Sequence, residues 1–298
     1  MSSILFPLGV AWVAALATVP AAPCGRELRV SKGVFAQPEG GPLGMTIYEP
    51  RTRGTGLRPG MVLIHGGAWR FGPRWQQRWY CRAFARAGYV VMSIDYRLMP
   101  KYTFPHCLYD CKAAVRWLRL HAGEYQVDPE RIVVFGASAG GHLAAFLAAT
   151  GPEDGLEGDE NPGASSAVRA AVSLYGAVDL TKYRDLGLPG ISGRRAAKGM
   201  LKFAGTEVAK GGEDPLAAAS PITYAKPGMA PVFLAHGMSD MFVHYEQSEA
   251  FHARLQELGV PARLVGYPWR NHGFDYVHWK QRRAMFKEML AFLNEHNR

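Results

Sequence analysis

A chain of 298 residues that is 48% hydrophobic and 20% charged can bury a sizeable core, as one large α/β domain or two small ones, which excludes a disordered polymer. Its formal net charge of +9 favours anionic surfaces, but no long Lys/Arg block or nucleic-acid motif accompanies the charge, so no nucleic-acid partner is expected. Cys24, Cys81, Cys107 and Cys111 match no zinc spacing; buried free thiols are expected, with one disulfide open if the protein is exported.

Residues 4–19 are apolar and exit through Val19-Pro20-Ala21-Ala22-Pro23. This pattern predicts a signal peptide over residues 1–22, cleaved near Ala21 or Ala22, and a secreted or periplasmic protein. No Lys or Arg precedes the apolar core and the first charged side chain is Arg26. An uncleaved N-terminal membrane anchor therefore stays open, as does a cytoplasmic arm, although the run is slightly short for a full span. Cys24 resembles a lipoprotein cysteine, but Pro23 before it departs from that pattern. Any membrane contact is expected only through this leader.

From residue 23 to residue 298 the chain reads as one catalytic domain. Runs 27–36 and 44–49 predict an antiparallel pair of strands, and residues 50–60 a Gly/Pro/Arg-rich loop. Residues 61–65 form a buried strand leading into Gly66-Gly67-Ala68-Trp69. A helix over 74–87 and a strand over 89–96 follow, then a loop and a helix over 107–121. Residues 131–135 are a short β-branched run, hence a buried strand. After Gly136-Ala137-Ser138-Ala139-Gly140, the Ala-rich stretch 141–151 predicts a helix stopped by Gly151. A loop over 151–167 and a strand over 168–175 precede an irregular stretch at about 179–224, read as a cap over the site. Strands at 231–236 and 262–267 alternate with helices at 245–258 and 281–294. Alternating strands and helices predict a mostly parallel sheet covered on both faces.

A serine flanked by glycines between a strand and a helix has the setting of a nucleophile elbow, which holds Ser138 at a helix N-terminus. Its hydroxyl needs a base, and the base needs an orienting carboxylate. Asp240, just past the strand 231–236, and His272, just past the strand 262–267, meet that requirement in chain order. His244, His252, His278 and His296 read as helix or surface residues, Asp214 sits in the cap, and Asp275 is too close to His272. An acyl-transfer oxyanion needs aimed N–H donors, which Gly66, Gly67 and Ala139 would supply. His65 is expected to brace that loop and Trp69 to line the substrate pocket. The scattered histidines lack metal-ligand spacing, so no metal is expected. Arg70, Arg74, Arg78, Arg82 and Arg86 recur every four residues. The expectation is a solvated helix face with Trp75 and Trp79 packed inward, and a stripe that binds an acidic polymer or carboxylated substrate is the alternative.

Several stretches occur in a telling order: His65-Gly66-Gly67-Ala68-Trp69, Asp95-Tyr96-Arg97-Leu98 with Phe104-Pro105, Gly136 to Leu143, His236-Gly237-Met238-Ser239-Asp240, and Asn271-His272-Gly273-Phe274. Together they resemble the α/β-hydrolase esterases of the hormone-sensitive-lipase-like and bacterial feruloyl or acetylxylan esterase-like branch, from Leu28 to the C-terminus. The resemblance implies the α/β-hydrolase fold, a Ser138–Asp240–His272 triad, Gly66, Gly67 and Ala139 as oxyanion donors, and Asp95, Arg97 and Asp110 as scaffold ion-pair residues. Ala137 departs from it, standing where many relatives carry Glu or Asp. The implied activity is a cofactor-free serine carboxylic-ester hydrolase acting on small acyl or aromatic-acyl esters, free or linked to polysaccharide. An aryl-formamide hydrolase shares a similar His-Gly-Gly-x-Trp stretch and is the alternative. A catalytically silent binding protein is the rival from another class, and the sequence leaves the oligomeric state open.

Overall fold

Eight strands form one sheet in the order β1-β2-β4-β3-β5-β6-β7-β8 in the computed structural model, which describes residues 27–52, 54–186, 192–205, 207, 209 and 212–297. The expected leader over residues 1–22 and Cys24 lie outside the described residues. β1 (Leu28–Ala36) and β2 (Leu43–Pro50) are antiparallel, and β2 pairs antiparallel with β4 (Val90–Ile94). β3 (Arg58–Ile64), β4, β5 (Val127–Ala137), β6 (Ala171–Leu174), β7 (Val232–Gly237) and β8 (Ala262–Tyr267) run parallel.

In chain order the helices are α1 (Arg78–Arg86), α2 (His106–Leu120), α3 (Ala122–Tyr125) and α4 (Ala139–Ala149). Between β6 and β7 come α5 (Tyr183–Leu186), α6 (Gly193–Ala204) and α7 (Pro215–Ala218). They are followed by α8 (Tyr245–Glu257), α9 (Phe274–Val277) and α10 (Trp279–His296).

The central strands are buried on both faces, so their sequences read as continuous apolar runs. Alternation along β5 sends Ile132 and Val134 into the core under α2, α4 and α8, and Val133 and Phe135 into the core under α1 and α10. From β3 the chain steps to β4 on one side, then crosses back to β5 on the other. The carboxyl ends of β3 and β5 therefore flank the point where the winding reverses, the usual place for a crevice in an open α/β sheet. Among the described residues no helix is long and apolar enough to cross a membrane. Cys81, Cys107 and Cys111 are buried free thiols.

Five sequence expectations need correction. Helix α1 starts at Arg78 rather than residue 74, because residues 74–77 form turns and Arg74 reaches away to Asp95 and to the Thr46 hydroxyl. Trp79 packs toward the core under α1, but Trp75, before the helix, is 67% exposed rather than packed inward. Helix α4 spans Ala139–Ala149 and ends without a left-handed glycine: Thr150 is extended, its hydroxyl donates to Phe146 O at 2.7 Å, and Gly151 has φ −120°. The strand expected over 168–175 shortens to Ala171–Leu174, while the one expected over 131–135 lengthens to Val127–Ala137 by pairing with β3.

Candidate active site

Ser138 stands between β5 and α4 with φ 56° and ψ −121°, a conformation L-residues rarely adopt. Two glycines make the turn possible. A Cβ on Gly136 would lie 2.0 Å from Gly140 O, and one on Gly140 would lie 2.2 Å from Ile64 O. The serine is locked in place by its own N–H, which donates to Leu174 O at 2.8 Å.

The loops after β7 and β8 bring two further side chains to it. His272 Nε2 is 2.9 Å from Ser138 Oγ, and His272 Nδ1 is 2.6 Å from Asp240 Oδ2. With Nδ1–H donating to the carboxylate, Nε2 is left to accept the serine proton. Asp240 Oδ1 accepts the N–H groups of Phe242 and Val243 at 2.9 and 3.0 Å. Burial acts to raise the Asp240 carboxyl, but hydrogen bonds from His236 and His272 outweigh it and hold the group well below the usual carboxylate range. The Asp240 carboxyl is therefore ionised at neutral pH.

Other residues tie these loops together, and only the three-dimensional pairing reveals them. His236, buried at the end of β7, donates from Nε2 to Val243 O at 2.7 Å and reaches Asp240 Oδ2 at 3.2 Å, while Ser248 Oγ donates to its Nδ1 at 2.7 Å. Asn271 Oδ1 accepts from His272 N at 2.7 Å and Met241 N at 3.1 Å, joining the base loop to the acid loop. Behind His272, Tyr175 packs edge-on at 4.8 Å and donates to the buried Asp275 at 2.7 Å. His236 lies inside a stretch singled out for Asp240, but no spacing rule announces its contact with the acid.

The Gly66–Trp69 turn faces the serine. Gly67, Ala68 and Trp69 all have positive φ (123°, 50° and 57°), and the Gly67 carbonyl accepts from Arg70 N and Phe71 N. Among the described residues, no acceptor engages the N–H of Gly66 or Gly67. Ala139 N–H, at the first turn of α4, has no intrahelical acceptor. His65 braces the loop: its Nδ1–H donates to Gly66 O at 2.7 Å, its carbonyl accepts from Tyr96 OH at 3.0 Å, and its ring stacks on Tyr96. Burial pushes the His65 imidazole down, toward the neutral form.

Trp69 stacks on Phe203 of α6 at 4.0 Å and donates from Nε1 to His142 Nδ1 at 3.3 Å. His142 in turn donates to Ala219 O at 2.9 Å, so one fully buried imidazole links the Gly66 turn, α4 and the segment after α7. Ser138, Ala139, Gly66, Gly67, Trp69 and His272 line one largely apolar cavity of about 370 Å³, to which Tyr183 and Met200 also contribute.

The competing carboxylates lie elsewhere. Asp214 caps α7 through Leu216 N and pairs with Arg184 at 2.6 Å. Asp275 accepts from Tyr80 and Tyr175. Arg97 pairs with the buried Asp110 at 2.8 Å, and Arg74 pairs with Asp95. Among the described residues, no group of three or more His, Cys, Asp or Glu side chains could hold a metal ion.

Comparison with known proteins adds relatives to this geometry. The BD-FAE family profile matches residues 45–255. Esterase LipQ of Mycobacterium tuberculosis is 32% identical over 244 residues, 79% of this chain and 55% of that protein. Esterase LipC of the same organism is 28% identical over 258 residues, 85% of this chain and 62% of that protein. The chain thus spans less than two thirds of the length of these relatives. Among solved structures, a thermophilic esterase of the planctomycete Thermogutta terrifontis, Est2 in its native form, is 29% identical with a TM-score of 0.71, covering 90% of this chain and 92% of that one. Its butyrate-bound form matches with the same TM-score of 0.71 at 29% identity, covering 90% of this chain and 94% of that one.

Proposed function

The chain belongs to the BD-FAE family and has the α/β-hydrolase fold, and from that premise we propose that it is a serine carboxylic-ester hydrolase. The observation that carries the reading is the unbroken relay from Ser138 Oγ to His272 (2.9 Å) to Asp240 (2.6 Å), opening into an apolar cavity. His272 Nε2 takes the Ser138 proton as Oγ attacks the ester carbonyl carbon. The amides of Gly66, Gly67 and Ala139 hold the developing oxyanion, and Asp240 steadies the imidazolium. Collapse of the tetrahedral intermediate expels the alcohol, protonated by His272, and leaves the acyl group on Ser138. Water, deprotonated by His272, repeats the sequence and releases the acid.

Small acyl or aromatic-acyl esters suit the cavity, whose about 370 Å³ is walled by aromatic and aliphatic side chains. Similarity to a butyrate-bound esterase supports the small-acyl end of that range. Ala137, buried beside the serine, leaves the nucleophile turn without an acidic neighbour. We also read residues 1–22 as an export leader, a reading that N-terminal sequencing of the mature protein tests.

The test of the activity is a substrate panel of p-nitrophenyl acetate, butyrate and dodecanoate, methyl ferulate, acetylated xylan and N-formylkynurenine, run beside Ser138→Ala. Rapid turnover of the short esters, lost in the variant by a factor of about 10⁴ or more, is expected. Turnover of the formamide alone would replace the ester reading. No turnover dependent on Ser138 would remove it.

A further inference from the structure

A second and larger hollow, about 600 Å³, lies outside the catalytic cavity between the β1–β2 edge of the sheet and α1. Its floor is Tyr48 and Thr46 of β2, and its walls carry Lys32, Arg74, Arg78 and Arg82. The 71–76 segment divides it from the active site: Phe71 and Gln76 face the catalytic cavity, while Pro73 and Trp75 face this hollow. A shallower hollow sharing Val30 and Arg82 continues it to Arg86. The two hollows thus lie on either side of the 71–76 segment, and the trough runs past Arg78, Arg82 and Arg86 along one face of α1, about 12 Å.

Its charge is one-sided. Asp95 is the one carboxylate lining the first hollow and is taken up by Arg74, while Glu27, lining the continuation, pairs with Arg51 at 2.5 Å. Lys32, Arg78 and Arg82 make no ion pair among the described residues, and Arg82 Nε is shielded from solvent with no acceptor. Beside these cations Trp75 stands 67% exposed and Val30 46% exposed. Guanidinium groups match carboxylates in a forked geometry, and an exposed indole offers an apolar face to a sugar ring.

We propose that this trough is a subsite for the carboxylated glycan part of the ester substrate, so that the enzyme removes acyl groups from an acidic, uronate-bearing polysaccharide. The proposal rests on the esterase reading above, since the ester must reach Ser138 while the chain beyond it lies along α1. The concave shape argues against a membrane surface, which would meet only the rim. Single-stranded nucleic acid calls for several stacking aromatics in its groove, and this one has a single exposed tryptophan.

The test separates the two readings. Binding is measured by calorimetry on full-length Ser138→Ala protein with de-esterified oligogalacturonate, which needs no catalysis, and with a neutral xylo-oligosaccharide. Hydrolysis of p-nitrophenyl acetate is measured separately on protein that retains Ser138. Oligogalacturonate is expected to bind, to be weakened by 0.5 M salt, and to lose about tenfold in affinity in Lys32→Gln/Arg78→Gln. Trp75→Ala is expected to weaken it without altering the salt response. Both variants are expected to hydrolyse p-nitrophenyl acetate as the parent does. Equal binding of the neutral oligosaccharide, unchanged affinity in the double variant, or binding to phosphatidylglycerol vesicles in place of the uronate would overturn the subsite. Loss of p-nitrophenyl acetate hydrolysis in the parent would instead overturn the esterase reading.

Discussion

Two buried side chains near the serine both lose stability in acid, over different pH ranges. Asp240 has its carboxyl pushed below the usual carboxylate range, so its contribution is intact above about pH 4 and is lost only as pH falls further, toward its folded value. His142 is fully buried, and burial lowers its imidazole from 6.5 to about 4. Between those values the unfolded chain takes up a proton that the folded chain refuses. Stability tied to His142 is therefore full above pH 6.5, declines as pH falls, and has dropped by about 3 kcal/mol at pH 4. His142→Gln keeps an acceptor for Trp69 Nε1 and a donor for Ala219 O without a titrating ring. Urea unfolding at pH 7 and at pH 4.5 should show the parent losing about 2 kcal/mol more than the variant. An equal loss in both would mean that His142 is not the residue through which acid acts. Ser138, Asp240 and His272 stand out in the sequence because each lies just past a strand end. The roles of His142, His236 and Asn271 do not, because each acts by holding neighbouring segments together, a contact that no motif spacing marks.

At the scale of elements, the turn between β5 and α4 leaves the least room for change. Gly136 and Gly140 touch backbone, not flexible side chains, so an added methyl has nowhere to go: the nearest atoms to a Gly136 Cβ are Gly140 O at 2.0 Å and Gly140 C at 2.2 Å. Gly136→Ala should cost more than about 3 kcal/mol or prevent folding, whereas Gly123→Ala in α3, with no atom within 4 Å of its Cβ, should be near neutral. Thermal melting of the pair checks the contrast, and similar melting points would show that the turn can yield. The small-residue pattern makes this turn legible in sequence. The start of α1 was less so: the arginine repeat runs unbroken through residues 70–86, but only Arg78 onward is helical, and the exposed Trp75 follows from that shift. A four-residue repeat marks helical spacing, yet Arg74 finds a better partner in Asp95 than in a helix face.

Across the whole molecule, the sheet ends hold Ser138, Asp240 and His272 together and the segment between β6 and β7 lines the cavity they open into. Hydrophobic alternation and apolar runs made the sheet readable, because burial on both faces leaves a plain signature in each strand. The stretch between β6 and β7 carries no such signature; its contacts with the cavity come from single side chains such as Tyr183 of α5 and Met200 of α6. Phe203 is the one with most leverage. It is 2% exposed, stacks on Trp69 at 4.0 Å and packs against His142 at 5.6 Å, so it backs the aromatic wall of the cavity. Phe203→Ala removes that backing and should cost about 3–5 kcal/mol of stability, a loss that melting would register. It also lets the Trp69 ring retreat, lengthening the acyl side of the cavity. Each methylene accommodated is worth about 0.8 kcal/mol, so two more should shift relative kcat/KM from acetate toward hexanoate by about tenfold. The ratio of the two p-nitrophenyl esters is read on folded protein below the variant's melting temperature. A drop in both rates with no change in their ratio would place Phe203 in support of the fold alone.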